Sequence, residues 1–359
     1  MRIAQVAPLY EAVPPRLYGG TERIVAHLTD ALVELGHEVT LFASAEARTR
    51  ATLVPVRDQA IRLDTCALKS DLAAHLSMLH ELHKRRDEFD VLHFHVDLVH
   101  FPFFEEIASQ TVTTLHGRLD LKDLPEAYAR WRDYPLVSIS DDQRTPLPDA
   151  NWLATVPHGL AESIYTFNAA PRLPPYLTFL GRISPEKRPD RAIAIAKRSG
   201  MPLKIAAKVD AVDAAYFHEI IEPLLEHPLI EFVGEIGDGE KSAFLGNAQA
   251  LLFPIDWPEP FGLVMIEAMA CGTPVIAWRC GSVSEIIDHG ETGFIVTTED
   301  EAVAALTRLQ LIDRRQVRDV FEQRFTARVM ARNYLRLYWR LCAGTRRLGT
   351  VPRRLAKAR

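Results

Sequence analysis

Cysteine is scarce in this chain, with four in 359 residues (Cys66, Cys271, Cys280 and Cys342). Their spacing fits neither a disulfide framework nor a short zinc-ligand pattern, and a reducing cytoplasm is the expected compartment. No run of about 18 apolar residues occurs, which argues against a membrane-spanning helix. The first residues, Met1-Arg2-Ile3-Ala4-Gln5-Val6-Ala7, enter a strand-like segment without an apolar signal stretch, so export by that route is not expected. An excess of positive charge is also lacking. Forty-two Lys and Arg stand against 47 Asp and Glu, for a net charge of −5, so nothing attracts the chain globally to nucleic acid. There is no Asp-x-Asp triplet of the kind that holds Mg or Mn. What is present is an ordinary globular composition, 48% hydrophobic and 25% charged. Single cores stop growing near about 250–300 residues, so this length predicts two domains.

Short apolar runs alternate with amphipathic stretches, the pattern of parallel sheets with crossover helices. In the first half, strands are predicted at 3–7, 39–43, 91–94, 111–115, 136–139 and 152–156, with helical spacing through Ile24, Leu28, Leu32 and Leu35 and again over 72–83. Residues 168–175, Asn-Ala-Ala-Pro-Arg-Leu-Pro-Pro, resist helix and central strand alike because proline removes donors and fixes the backbone. They read as the interdomain linker and a candidate hinge. A second series of strands follows at 177–180, 203–206, 231–233, 250–254, 274–277 and 294–296, and from 299 to about 341 the pattern is helical. The expected organisation is an α/β chain of two doubly wound domains, 1–170 and 171–335, with 336–359 forming a helix that crosses back toward the first domain and a basic tail.

The densest constellation of chemistry is Trp257-Pro258-Glu259-Pro260-Phe261-Gly262-Leu263, followed by Glu267 and Cys271-Gly272-Thr273-Pro274. A strand feeds a proline-bounded loop, and Gly262 sits where a helix begins. A helix start offers unpaired N–H groups and the positive end of its dipole to a diphosphate, while Glu259 in the loop can accept hydrogen bonds from sugar hydroxyls. Upstream, Gly181-Arg182-Ile183-Ser184-Pro185-Glu186-Lys187 places two cations after a strand. Arg182 offers a bidentate fork and Lys187 a point charge to a departing nucleoside diphosphate.

These segments resemble the retaining glycosyltransferases of family 4. Glu259 and Glu267 match that family's E-x7-E signature within EPFGLVMIEAMACGTPVIA, and Gly181 to Lys187 is similar to its G-R-x-x-x-x-K stretch. Ser282-Val283-Ser284-Glu285 through Gly290-Glu291-Thr292-Gly293-Phe294 resembles the segment after the second Glu, and the likeness is strongest over 177–296. The resemblance implies the GT-B architecture, two Rossmann-like domains facing a cleft, with metal-independent transfer of a hexose from a nucleotide diphosphate sugar to an acceptor hydroxyl. UDP-glucose is the first expected donor and GDP-mannose the second; the nucleotide sugar is a substrate, so no cofactor is expected. By the same resemblance, Glu267 binds ribose hydroxyls, Glu259 the transferred sugar, the backbone of Phe261, Gly262 and Leu263 the sugar and phosphate, and Arg182 and Lys187 the diphosphate. Two departures stand out. His158 follows Val156-Pro157 where many members have Asn, and Ile205-Ala206-Ala207-Lys208 replaces a glycine-rich turn, adding Lys208 as a further donor-binding cation.

In the first domain, Tyr18-Gly19-Gly20-Thr21 precedes a helix and matches the family's glycine-rich loop near the donor diphosphate and acceptor. His116 ends the strand Thr113-Thr114-Leu115 and corresponds to a His beside the transferred sugar, so it is assigned to the catalytic set with Glu259, Arg182 and Lys187. His93 and His95 alternate along a strand; a metal site would need further ligands that the sequence does not identify. Residues 340–359 hold seven Arg or Lys and no acid, suited either to an anionic membrane face bearing a lipid acceptor or to a solvated tail. The expectation is a cytoplasmic enzyme, peripheral at the inner membrane face through that tail, acting on a glycan, lipid or small-molecule hydroxyl. The rivals are a sugar-nucleotide epimerase of similar shape and a non-catalytic nucleotide-sugar binding protein.

Overall fold

The structure is a computed structural model that describes residues 1–347; the end of the basic tail lies outside the described residues. The first sheet has seven parallel strands, β1 (Arg2–Val6), β2 (Glu38–Ser44), β3 (Thr52–Arg57), β4 (Val91–Phe94), β5 (Thr111–Thr114), β6 (Leu136–Ser138) and β7 (Trp152–Thr155), in the order β3-β2-β1-β4-β5-β6-β7. The second has six, β8 (Leu177–Arg182), β9 (Leu203–Lys208), β10 (Ile230–Gly234), β11 (Ala250–Phe253), β12 (Val275–Trp278) and β13 (Gly293–Val296), in the order β10-β9-β8-β11-β12-β13. Every strand pairing in both sheets is parallel. In each sheet the order reverses beside the first strand, the doubly wound pattern whose ligands bind beyond the carboxyl ends of the strands.

Helices cover both faces, and β4, β5, β11, β12 and β13 are buried at every position, β13 even though it ends its sheet. The other edge strands, β3, β7 and β10, are partly exposed. β3 is half exposed and carries Pro55, a residue that an edge tolerates because one side of the strand needs no donor. That combination hides β3 from a reading of the sequence that looks for apolar runs. Polar side chains start the helices where the sequence provides them: Ser70 caps the helix Asp71–Arg85 by accepting the Ala73 N–H, and Thr298 caps Glu299–Leu306 through Glu301.

Two compact units divide the chain. The first holds Met1–Ile139, Arg144–Val156 and the chain from Ala327 onward; the second holds Ser140–Gln143 and Pro157–Thr326. The long helix Ala327–Arg347 packs on Gly20–Glu34 in the first unit. The short excursion at 140–143 joins the second unit because both carboxylate oxygens of Glu285 accept the N–H groups of Asp141 and Asp142, at 2.7 and 2.9 Å. The proline-rich segment 168–175 lies inside the second unit, and the chain passes between units at Val156–Pro157 instead. Its backbone is tied down: the Asn168 N–H donates to Cys271 O and the Arg172 N–H to Asn247 O, each at 3.0 Å. Proline content excludes regular structure there without making the segment a joint. Among the described residues no helix is long and apolar enough to cross a membrane.

Candidate active site

In the second unit, β11 delivers the chain to a loop that Pro254, Pro258 and Pro260 keep from becoming strand or helix. Gly281 clamps this loop from the opposite side. Its φ is +54°, and a Cβ there would lie 2.4 Å from the Glu259 nitrogen and 2.5 Å from its carbonyl oxygen, so only glycine fits. Ser282 adds two bonds: its N–H donates to Glu259 O at 3.0 Å, and its hydroxyl donates to Phe261 O at 2.9 Å. Gly262, at φ +77°, turns the chain into the helix Leu263–Ala270, whose first N–H groups point out of the turn. The Glu259 side chain is therefore carried on a backbone fixed on both flanks.

Lys187 meets Glu259. Its ammonium donates to Glu259 Oε2, and the Trp257 indole N–H donates to the same oxygen at 2.9 Å. The ammonium also lies 5.0 Å from the Trp257 ring centroid and 5.9 Å from that of Phe253, close enough for cation–π attraction. The two loops are stitched by the Asp256 N–H, which donates to Glu186 O at 2.8 Å. Lys187 and Glu259, far apart in sequence, thus form one half-buried cluster before a helix start.

Arg182 and Lys208 are register partners at the ends of β8 and β9, and both face acids that the sequence reading passes over. Arg182 Nη1 is 3.6 Å from Asp210 and 3.8 Å from Asp213; Lys208 Nζ is 2.9 Å from Asp210. Burial alone raises the Asp210 pKa, but the hydrogen bond and charge of Lys208, then Arg182, overcome it and hold the carboxyl below its ordinary range. The only signal for this pairing in the sequence is Lys208-Val209-Asp210-Ala211-Val212-Asp213, two acids just past a strand end.

Glu267 is 3% exposed, and its Oε1 accepts from the Tyr165 hydroxyl at 2.8 Å and from Lys241 at 3.1 Å. Neither partner is foreseeable from local sequence, since they lie on other segments. Cys271, at the end of the same helix, is no nucleophile: burial pushes its thiol up to about 12.

The first unit places Gly19 and Gly20 at the start of the helix Gly20–Glu34. A Cβ on Gly19 would lie 2.7 Å from Pro15 Cβ, so close packing alone demands glycine there. His116 follows β5 and lies within a polar network at the carboxyl ends of β1, β4 and β5. His95 Nδ1 is 2.8 Å from His116 Nε2, His95 Nε2 is 2.8 Å from Gln5 Oε1, and Gln5 Nε2 donates to Tyr338 at 3.2 Å. His93 is 2.7 Å from both Tyr338 and Thr114, and Thr114 is 2.8 Å from Tyr334. Desolvation lowers the His116 pKa to about 3 and those of His93 and His100 well below the ordinary value, so these rings are neutral near pH 7. Among the described residues no group of three His, Cys, Asp or Glu side chains is placed to hold a metal ion.

Comparison with known proteins places this arrangement. The solved structure of AviGT4, a glycosyltransferase involved in avilamycin A biosynthesis, superposes with a TM-score of 0.73 at 24% identity, covering 96% of this chain and 98% of that one. The fold is the two-domain α/β GT-B fold of glycosyltransferases. Residues 18–198 match the family model described as Glycosyltransferase Family 4, and residues 165–326 the one described as Glycosyl transferases group 1. The chain belongs to glycosyltransferase family 4. A glycogen synthase of Mycobacterium tuberculosis is 28% identical over 368 residues, covering 87% of this chain and 86% of that protein. A phosphatidyl-myo-inositol mannosyltransferase of Mycolicibacterium smegmatis is 25% identical over 365 residues, covering 92% and 89%.

Proposed function

We propose that this glycosyltransferase moves a hexose from a nucleotide diphosphate sugar to an acceptor hydroxyl, with retention at the anomeric carbon and without a metal ion. The observation that carries the reading is the Lys187–Glu259–Trp257 cluster set directly before the start of the helix Leu263–Ala270. It brings a cation from one loop against a second loop that carries an acceptor for sugar hydroxyls and leads into a row of N–H donors. In this reading Glu267 binds the ribose hydroxyls, Glu259 the transferred hexose, and the backbone of Phe261, Gly262 and Leu263 the sugar and phosphate. Arg182, Lys187 and Lys208 neutralise the diphosphate by exchanging their carboxylate partners for phosphate oxygens. Gly19 and Gly20 bind the donor near its diphosphate and beside the acceptor, and His116 shapes the reaction centre.

The bond from the anomeric carbon to the leaving phosphate oxygen breaks while the acceptor oxygen bonds to that carbon on the same face. The acceptor proton passes to the leaving phosphate, so no enzymic nucleophile is consumed. The donor is UDP-glucose first and GDP-mannose second. The glycogen synthase relative is in keeping with glucose and the mannosyltransferase relative with mannose; the acceptor hydroxyl belongs to a glycan, a lipid or a small molecule. The enzyme works in the cytoplasm, and the tail beyond residue 340 brings it to an anionic membrane face.

The test is a thermal-shift panel of uridine, guanosine and adenosine diphosphates and their hexose conjugates in EDTA. A ligand at 100 times its Kd stabilises by about 2.7 kcal/mol, so one base is expected to stand out. The matching sugar nucleotide is then assayed for transfer and the product anomer read by NMR. No shift with any nucleotide overturns the reading; binding without transfer or hydrolysis favours a binding protein, and isomerised donor an epimerase.

A further inference from the structure

The network around His116 is directional, and its direction can be followed atom by atom. Gln5, His93, His95, Thr114, Tyr334 and Tyr338 are all at most 3% exposed, so their hydrogen-bonding groups find partners within the protein. The Gln5 amide nitrogen donates to Tyr338 and faces His93 Nδ1 at 3.3 Å. That leaves His93 Nδ1 as an acceptor, which takes the Tyr338 hydroxyl proton at 2.7 Å, and makes His93 Nε2–H a donor to Thr114. The Gln5 carbonyl oxygen points the other way, to His95 Nε2. A carbonyl oxygen only accepts, so His95 carries its proton on Nε2. A neutral imidazole has one donor and one acceptor, hence His95 Nδ1 accepts, and the group 2.8 Å away, His116 Nε2, is the donor.

We propose that Gln5 and His95 are positioning residues that lock His116 into its Nε2–H tautomer and hold its ring in one orientation, with Tyr338 of the last helix fixing the amide of Gln5. The proposal deepens the reading of His116 as a residue at the reaction centre and rests on it. A histidine with the wrong tautomer presents a donor where an acceptor is needed. Loss of the group that fixes a catalytic imidazole's tautomer has a large effect in the serine protease triad, so partners two shells from the substrate can control turnover without touching it.

The experiment uses the full chain with 15N-labelled histidine, the ring nitrogens read by two-bond proton–nitrogen correlation and His116 identified by its loss in His116→Asn. The unsubstituted chain is expected to show the Nε2–H pattern for His116. In Gln5→Leu and His95→Leu that pattern gives way to the other tautomer or to a mixture. The same variants lower kcat at least about 10-fold while the donor KM stays within about threefold, and His95→Gln, which keeps one acceptor and one donor, restores most of the loss. An Nδ1–H pattern in the unsubstituted chain, as a reversed Gln5 amide would give, overturns the proposal. So does an unchanged ring pattern in both leucine variants. If a leucine variant does not fold, the spectrum of the unsubstituted chain still decides. If no nucleotide sugar supports transfer, the functional reading fails while the ring spectra still test the tautomer.

Discussion

The polar groups of the two units obey different rules. Around His116, in the first unit, the hydrogen bonds joining Gln5, His93, His95, Thr114, Tyr334 and Tyr338 link buried neutral side chains, and the network is sustained by mutual satisfaction of donors and acceptors. Around Glu259 and Asp210, in the second unit, the contacts are ion pairs on partly exposed side chains. A neutral buried network cannot trade partners without stranding a polar atom, so it suits a part whose geometry must stay put. Ion pairs that solvent still reaches can trade a carboxylate for a phosphate without stranding a charge, so they suit a part that receives and releases a charged ligand. The contrast assigns rigidity to the histidine centre and exchange to the cations around Glu259 and Asp210.

Acid should break the neutral network first. His93, His100 and His116 have folded pKa values depressed by desolvation, so the unfolded chain binds protons before the folded one. Their contribution is present above about pH 6.5 and is lost as pH falls below it, at roughly 1.4 kcal/mol per pH unit for each ring. Glu22 and Asp97, raised mainly by burial, oppose this. The expected outcome is a steep fall in melting temperature between pH 7 and 5, and a flat profile would refute the neutral assignment.

Gly281→Ala forces the Glu259 backbone to move and should destabilise by about 3 kcal/mol, read by urea unfolding. Lys187→Met is the opposite experiment: transfer should fall about 100-fold in kcat/KM, whereas the melting temperature should move by no more than a degree or two. A large loss of stability instead would make the Lys187–Glu259 pair structural. The smallest effect is expected from Asp210→Asn, which releases Arg182 and Lys208 from competition and should tighten nucleoside diphosphate binding about threefold by calorimetry. Weaker binding would mean that Asp210 positions those cations for the ligand.

Local sequence carries the fold well where burial is two-sided. Strands such as β11, β12 and β13 declare themselves as apolar runs because they are covered on both faces; β3 does not, since its exposure and Pro55 erase the run. The E-x7-E segment and the Gly181–Lys187 stretch are each readable because their chemistry is contiguous. The partners Tyr165 and Lys241 for Glu267, Asp210 and Asp213 for Arg182, and Gln5, Tyr334 and Tyr338 for the histidines come from other segments. Tertiary folding, and no local pattern, brings them in.

The last helix gives Tyr334 and Tyr338 to a centre whose other members lie within the first 116 residues. A ribosome making this chain finishes the whole second unit before it emits the phenols that complete the first, so the histidine centre cannot close until that unit has been made. The same order constrains anyone recombining relatives to alter acceptor choice. A graft ending at residue 156 would leave Gln5 facing a foreign helix, and the exchanged piece has to include 327–347 to travel as one inheritable module.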